Sequence, residues 1–259
     1  MHAERLAPGS RRPEPLDGQT GRLLSLRGLS RRFGALEVIR NLSLDVAPGE
    51  AVGILGPNGA GKSTLFNLVT GDLRPDAGTV LLAGEDVTPL PASARCLRGI
   101  GRSYQVPRPF GGMTVLENAL VGASFGAGLR AEAAVEHGVR VLERTGLARR
   151  ANQLAGSLTL LDRKRLELAR ALSTRPRLLL LDEIAGGLTD HEAAALVDTI
   201  RAVRAEGVTL VWVEHVVHAL LAVVERLVVL NFGTLVMDGA TAPVMASRQV
   251  REIYLGIEA

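Results

Sequence analysis

The sequence predicts an α/β fold with a mixed sheet at its core, a small antiparallel sheet before it and a helical insert. Three observations predict this fold. A glycine-rich loop at residues 56–64 separates an apolar run at 51–55 from apolar residues at helical spacing. Two more short runs, 178–181 and 208–213, are apolar throughout, as in parallel strands buried on both faces. Residues 114–172 contain no convincing strand and are rich in Ala, Glu, Arg and Leu, which favours helix.

The composition limits the class of protein. With 259 residues, 47% of them hydrophobic, the chain can bury a full core. Its net charge of +3 comes from scattered arginines, so a nucleic-acid partner is not indicated. The single Cys96 excludes a disulfide framework within the chain, and no apolar run approaches the roughly 18 to 20 residues that cross a bilayer. Because the N-terminus lacks a signal-peptide pattern, we expect a cytoplasmic protein.

The segment before the loop predicts a small antiparallel sheet. Residues 23–46 contain short alternating or β-branched runs, and Gly28, Gly34 and Asn41 are expected to break them into strands. Phe33 is expected in the turn between two of these strands. Its ring there could stack on a base, which needs only an aromatic face, or it could be a hydrophobic plug under the hairpin.

The loop itself has the pattern G-x-x-x-x-G-K-[ST] of a phosphate-binding loop. Its glycines allow backbone N–H groups to surround a polyphosphate, and the following helix adds the positive end of its dipole. The lysine would reach the terminal phosphates and the serine hydroxyl would hold Mg²⁺. This lysine is one of only two in a chain with 30 basic residues. The residues assigned to the loop are Gly56, Pro57, Asn58, Gly59, Ala60, Gly61, Lys62, Ser63 and Thr64.

Beyond the loop helix, residues 79–84 predict another strand and its turn, and residues 99–105 predict the end of a further strand. The Pro- and Gly-rich residues 106–112 predict a bent connector into the helical insert. Within the insert, Thr159 with Asp162 three residues later predicts the start of a helix.

The two buried runs end in carboxylates, Asp182 and Glu183 after the first and Glu214, followed by His215, after the second. Ligands of open α/β sheets gather at the carboxyl ends of the strands, so these residues are expected beside the phosphate loop. Hydrolysis of a phosphoanhydride needs charge neutralisation and a group that orients or deprotonates water. Asp182 suits Mg²⁺, directly or through water, and Glu183 suits the base; the alternative for this pair is a solvated turn.

The remaining elements complete the predicted fold. Thr189, Glu192 three residues later, and an apolar stripe closed by Gly207 predict a helix between the two buried strands. The turn residues 231–233 predict a hairpin, and a last helix is expected from about Pro243.

In their order and spacing, these motifs resemble the ATP-binding subunits of ABC transporters from about Leu23 to the end of the chain. The resemblance implies ATP and Mg²⁺ as ligands, ATP hydrolysis as the activity, and a phosphate-loop NTPase fold. It implies that Phe33 stacks on the base, Gln105 senses Mg²⁺ and water, and His215 contacts the γ-phosphate. Ser63, Gln105 and Asp182 would surround the metal, and Glu183 would be the catalytic base.

Within that family, residues 102–110, 113–118 and 254–256 are most similar to the branched-chain amino-acid importers, and urea and lipopolysaccharide systems remain alternatives. The resemblance implies integral membrane permease subunits as partners, with a periplasmic or extracellular solute-binding protein acting indirectly. It places the chain peripherally on the cytoplasmic face of the plasma membrane. Phe110 and Met113 in and after the connector are expected to anchor a short helix of the membrane subunit.

The predicted domain boundaries follow from these assignments. Residues 1–21 combine Pro, Gly and charges without a periodic apolar face and are expected to be a disordered tail. Residues 22–106 and 173–259 would form the ATP-binding core. Residues 107–172 would form a helical subdomain.

One departure from the family concerns its signature, Leu-Ser-Gly-Gly-Gln, which aligns with Leu-Thr-Leu-Leu-Asp at 158–162. Thr159 keeps the hydroxyl that would face a nucleotide, but Leu160 and Leu161 replace both glycines, restricting φ and adding bulk. In this family two subunits hold two nucleotides head to tail, so the change favours a heterodimer with an intact second subunit over a homodimer. Ile184 replaces the usual Pro and is a smaller departure.

Two other functions compete with a transporter ATPase. A soluble ABC-type ATPase of DNA repair or translation usually carries tandem domains, coiled coils or zinc-binding cysteines, which this chain lacks. A small-molecule kinase on a phosphate-loop fold would leave Gln105 and His215 without a role. The transporter ATPase is the preferred hypothesis, by analogy with the family.

Overall fold

The computed structural model describes residues 21–255. The predicted tail lies outside the described residues except for Gly21, and Gly256 of the C-terminal segment lies outside them as well. Within the described range the strands are β1 (Leu24–Phe33), β2 (Leu36–Val46), β3 (Ala51–Leu55), β4 (Ala77–Leu82), β5 (Glu85–Asp86), β6 (Ile100–Arg102), β7 (Leu178–Asp182), β8 (Thr209–Val213), β9 (Arg226–Asn231) and β10 (Thr234–Ala240). The α-helices are α1 (Lys62–Thr70), α2 (Ala92–Leu97), α3 (Val115–Val121), α4 (Ala131–Arg144), α5 (Leu160–Ser173), α6 (Asp190–Ala205), α7 (Val217–Leu221), α8 (Thr241–Ala246) and α9 (Arg248–Leu255).

The central sheet has the strand order β10-β9-β3-β8-β7-β6, and its neighbours are parallel except for β9 with β10. The strands β3, β7 and β8 are buried along their whole length. Leu178 and Leu180 pack into the core beneath the antiparallel sheet, whereas Leu179 and Leu181 pack into the core on the opposite face. Because both faces are covered, these strands show no polar alternation, and their predicted burial is confirmed.

The second sheet has the order β2-β1-β4-β5 and is antiparallel, as predicted. The expected strand breaks at Gly28 and Asn41 are wrong, since β1 and β2 continue through them. Both residues have positive φ, +59° and +45°, at irregularities of the β1–β2 pairing. Gly and Asn are favoured both in bulges within strands and in turns between strands, so the sequence alone did not distinguish a bulge from a strand end. Gly34 does lie in the turn, but Phe33 is the last residue of β1.

Residues 114–173, all of them described, contain helices and short turns and no strand, as predicted for the insert. Between α3 and α4 lies a π-helical turn, Gly122–Gly126, that packs against α5. A Cβ on Gly122 would lie 2.7 Å from the carbonyl oxygen of Arg170. In the same turn Phe125 is 79% exposed.

Two helices, α2 and α7, were not predicted. The first is short and is centred on Arg95, which is fully buried. The Arg95 guanidinium donates hydrogen bonds to four carbonyl oxygens, two at the end of α1 and two before α2: those of Leu68, Val69, Thr88 and Leu90. The predicted last helix begins at Thr241, slightly before Pro243, and is divided into α8 and α9 at Ser247.

The hairpin of β9 and β10 has the predicted turn, in which Phe232 and Gly233 both have positive φ. This geometry belongs to the tight two-residue turns that match the twist of the strands. None of the helices within residues 21–255 combines the length and the apolar character needed to cross a bilayer.

Candidate functional site

The predicted phosphate-binding loop connects β3 to α1, as expected, and its first and last glycines, Gly56 and Gly61, occupy places that admit no side chain. A Cβ on Gly56 would lie 2.3 Å from the carbonyl oxygen of Leu230. Gly61 precedes α1 with φ of +101°, and a Cβ there would lie 2.8 Å from the carbonyl oxygen of Val38. The loop is therefore clamped between neighbouring backbone segments, and the N-terminus of α1 opens onto a cavity.

This loop cavity has a volume of about 310 Å³. It brings together most of the predicted site, because the carboxyl ends of β3, β7 and β8 lie side by side in the sheet. Its lining consists of Val38, Asn58, Gly59, Ala60, Gly61, Lys62, Ser63, Thr64, Gln105, Glu183 and His215.

Lys62 is 6% exposed, and its Nζ donates hydrogen bonds to the carbonyl oxygens of Gly56, at 2.6 Å, and Pro57, at 3.0 Å. Burial lowers the pKa of this ammonium, while the carboxylates of Glu183 and Asp182 oppose the shift. Two carbonyl oxygens thus hold the positive charge over the loop. An anionic ligand could take their place as the hydrogen-bond acceptors of Nζ.

Glu183 lies at the centre of the residues predicted to be catalytic. It follows β7 with φ of +45°, an uncommon conformation for a non-glycine residue, and its amide donates to the carbonyl of Val213 at 2.8 Å. Its Oε1 lies 2.7 Å from His215 Nε2, and its Oε2 accepts a hydrogen bond from Gln105 Nε2. Three residues predicted from separate segments therefore meet at one carboxylate. Backbone strain of this kind is common at functional sites.

Glu214 supports this arrangement from behind and was not assigned a role from the sequence. It is 1% exposed. Its Oε2 accepts from the amide of Ala185 and its Oε1 from the amide of His215, both at 2.9 Å. One buried carboxylate therefore joins the loop after β7 to the loop after β8.

Asp182 lies at the end of β7 and is 4% exposed. Its Oδ2 accepts a hydrogen bond from Arg102 Nη2 at 2.7 Å, whereas its Oδ1 is buried and accepts none from the described residues. A free carboxylate oxygen, the hydroxyl of Ser63 and the amide oxygen of Gln105 are the hard donors that Mg²⁺ prefers. Within residues 21–255 no cluster of three or more His, Cys, Asp or Glu forms a complete metal site. The donors fit an ion that arrives with phosphate ligands.

Lys164, the other lysine of the chain, was not assigned a role from the sequence. It lies in α5 with 3% exposure, and its Nζ is 3.4 Å from the backbone carbonyl oxygens of both Gln105 and Glu183. Burial lowers its pKa, and Glu214 and Glu183 oppose that shift. It connects α5 to the backbone of Gln105 and Glu183. Its rarity in an arginine-rich chain was the only feature of the sequence that could have pointed to it.

The structure does not bring Phe33 and Thr159 to the lining of the loop cavity. The ring of Phe33 is 46% exposed at the end of β1, with the Arg31 guanidinium 5.0 Å from its centroid. It therefore does not plug the hairpin. Thr159 precedes α5, where its hydroxyl donates to Asp162 Oδ2 at 3.0 Å and accepts from the Asp162 amide.

The altered signature presents apolar surface. Leu160 is 46% exposed at the start of α5, and a Cβ on Gly187 would contact it at 3.6 Å. Asp162, which takes the place of the signature glutamine, is buried and lies 3.1 Å from Arg150 and 3.6 Å from Arg165. The acid is thus used to hold the helical region together.

A second cavity, the side groove, has a volume of about 410 Å³ and lies between the central sheet, the π-helical turn and α5. Arg102, Tyr104, Phe125 and Glu167 are among its lining residues. Burial raises the pKa of Glu167. Phe110 and Met113 do not line this groove; instead the Phe110 ring lies 4.8 Å from the guanidinium of Arg170, which does.

Comparisons with known proteins agree with this geometry. The profile of a family described as ABC transporter matches residues 39–186. The high-affinity branched-chain amino acid transport ATP-binding protein LivG of Escherichia coli (strain K12) is 36% identical over 249 residues, covering 90% of this chain and 98% of LivG. The lipopolysaccharide export system ATP-binding protein LptB of Haemophilus influenzae is 32% identical over 234 residues, covering 90% of this chain and 97% of LptB. A crystal structure of the ADP conformation of an ATP-binding cassette of an ABC transporter has a TM-score of 0.84 at 30% identity, covering 92% of this chain and 100% of that one.

Proposed function

The chain belongs to the ABC transporter family as one of its ATP-binding, ATP-hydrolysing subunits, and we propose that its reaction takes place in the loop cavity between Lys62 and Glu183. The observation that supports this proposal best is the Glu183 carboxylate. It faces the phosphate loop and is held from two sides, by Gln105 and His215.

ATP binding uses the loop that the glycines keep open. The backbone amides at the start of α1 surround the phosphates, and Lys62 exchanges its two loop carbonyls for the β- and γ-phosphate oxygens. Because the ammonium is already buried and positioned, little ordering is needed on binding. Phe33, exposed at the end of β1, stacks on the base.

In the hydrolytic step Glu183 takes a proton from the attacking water, and Gln105 and His215 keep its carboxylate aimed at the γ-phosphate. Lys62 and His215 stabilise the charge that develops on the phosphoryl oxygens. Ser63, Gln105 and Asp182 would hold Mg²⁺, which would supply positive charge against the phosphates.

The side groove receives a membrane permease subunit. The exposed rings of Phe125 and Tyr104 offer apolar contacts for a short helix of that partner. Tyr104, which lines the groove, directly precedes Gln105, and Gln105 donates to the Glu183 carboxylate, so docking is linked to that carboxylate through neighbouring residues. The chain therefore works on the cytoplasmic face of the membrane, with a solute-binding protein on the other side.

Branched-chain amino acids are the proposed solutes. LivG, named for their transport, is 36% identical to this chain, whereas LptB, named for lipopolysaccharide export, is 32% identical. The test is purification of the intact complex followed by ATPase measurements with the solute-binding protein present. Stimulation by leucine, isoleucine or valine supports the proposal, and a complex that responds only to a lipid substrate contradicts it.

A heterodimer is the proposed assembly of the ATPase subunits. Leu160 and Leu161 stand where a partner's γ-phosphate would approach the start of α5, so a site completed by a second copy of this chain would be crowded. The assay is ATP turnover by the purified chain, before and after both leucines are changed to Gly. Slow turnover that the glycines raise supports the heterodimer. Robust turnover that they do not raise supports a homodimer.

A further inference from the structure

Arg102, which the sequence did not single out, lies between the two cavities. It is the last residue of β6, whose partner strand β7 ends at Asp182. Its side chain is 7% exposed. Nη2 donates to Asp182 Oδ2 at 2.7 Å, and Nη1 donates to Asn67 Oδ1 at 2.5 Å and lies 3.5 Å from Asp72.

The contact with Asn67 links this guanidinium to the phosphate-loop helix. Asn67 follows Ser63 by four residues in α1, so both side chains project from the same face. A rigid guanidinium that holds Asn67 with one nitrogen and Asp182 with another therefore sets the separation between Asp182 and the helix face that carries Ser63.

The same guanidinium fixes which Asp182 oxygen is available. Oδ2 is occupied by a charge-assisted hydrogen bond, and Oδ1 is buried without a hydrogen bond from the described residues. A buried carboxylate oxygen left unpaired is costly unless a ligand uses it. Two aromatic rings keep the guanidinium in place: Phe66 lies 5.6 Å and Tyr104 lies 4.8 Å from its central carbon.

We propose that Arg102 is a positioning residue that occupies Asp182 Oδ2 and so leaves Oδ1 available to Mg²⁺, and that the Tyr104 ring supports the guanidinium from the side groove. This inference rests on the proposed nucleotide site. It assigns Arg102 no contact with ATP itself. Loss of the guanidinium would remove both the hydrogen bond that fixes Asp182 Oδ2 and the ion pair with Asp72.

The test separates metal binding from nucleotide binding. Affinity for a fluorescent ATP analogue is measured in excess EDTA and then during a Mg²⁺ titration, for the parent and for Arg102→Met. We expect the EDTA affinity to stay within about twofold and the apparent Mg²⁺ affinity to fall about tenfold, as is usual for residues that orient metal ligands. Tyr104→Ala should cause a smaller loss of Mg²⁺ affinity in the same direction, and Tyr104→Phe, which keeps the ring, should match the parent.

The outcomes are distinguishable. If the Mg²⁺ affinity of Arg102→Met equals or exceeds that of the parent, the inference is overturned. The proposed function still stands in that case if the parent binds nucleotide and Lys62→Ala binds it more weakly. If the parent binds no nucleotide, the proposed function itself fails. Should Arg102→Met not fold, the pair Tyr104→Ala and Tyr104→Phe decides: equal Mg²⁺ affinities for both variants overturn the inference.

Discussion

Replacing Glu183 by Gln tests the assignment of the base. The side chain is 13% exposed, and its two oxygens are engaged by His215 Nε2 and Gln105 Nε2. In the variant, the amide oxygen can still accept from Gln105, and the amide nitrogen can face His215 Nε2. The shape of the site and the backbone conformation at residue 183 are therefore retained, and only the ability to take a proton is lost.

A positioned base contributes about a hundredfold to ten-thousandfold to rate, which corresponds to about 3 to 5 kcal/mol of activation free energy. We expect Glu183→Gln to lose that much turnover while ATP affinity stays within about twofold, because the amides and Lys62 that hold the phosphates are unchanged. The assay combines steady-state ATPase activity of the assembled complex with equilibrium ATP binding.

A matched control makes the same exchange at Glu206, an exposed residue whose carboxylate lies 2.7 Å from Arg144 and which does not line the loop cavity. Glu206→Gln should retain the turnover of the parent. Turnover of Glu183→Gln within about threefold of the parent, with normal ATP affinity, would show that Glu183 is not the base. Loss of affinity together with turnover would instead make it part of the binding site.

The remaining predictions concern binding, docking and stability. Lys62→Ala should weaken ATP binding itself, measured by equilibrium titration, and unchanged affinity would contradict the phosphate-loop assignment. Phe125→Asp should leave ATP binding by the isolated chain intact but abolish co-purification with the membrane subunit; if assembly persists, docking occurs elsewhere. Arg95→Met should lower the free energy of unfolding by about 3 kcal/mol, because four carbonyls, two of them in buried hydrogen bonds, lose a donor. Arg98→Met, which removes a surface pair with Glu85, should cost less than about 1 kcal/mol in chemical denaturation. Equal losses for the two arginine variants would refute the capping role of Arg95.

The central sheet could be predicted from the sequence because strands that are buried on both faces consist of apolar residues throughout. Strands β7 and β8 have no polar alternation, and the acids that follow them mark the edge at which ligands gather. The meeting of Gln105 and His215 at Glu183 follows from that topology. Their roles, and the domain boundaries, remain predictions.

The features that the sequence did not reveal depend on single long side chains. Helix α2 has no apolar period because its buried residue is an arginine, satisfied by carbonyls from other segments. Arg102 and Lys164 act in the same way. Arg102 contacts Asp182, 80 residues away in the chain, and Lys164 contacts Gln105, 59 residues away. Contacts of this kind leave no periodic pattern, so only the folded chain shows them.

The two lysines have a practical consequence for chemical labelling. Both side-chain amines are buried, one in the phosphate loop and the other beneath the catalytic loop, while the surface carries its positive charge on arginine. Amine-reactive crosslinkers, biotin esters and biosensor coupling therefore find no lysine on the outside of the fold, apart from the terminal amine. Because Lys62 lines the loop cavity, the degree to which added nucleotide protects that amine from acylation would measure occupancy of the site.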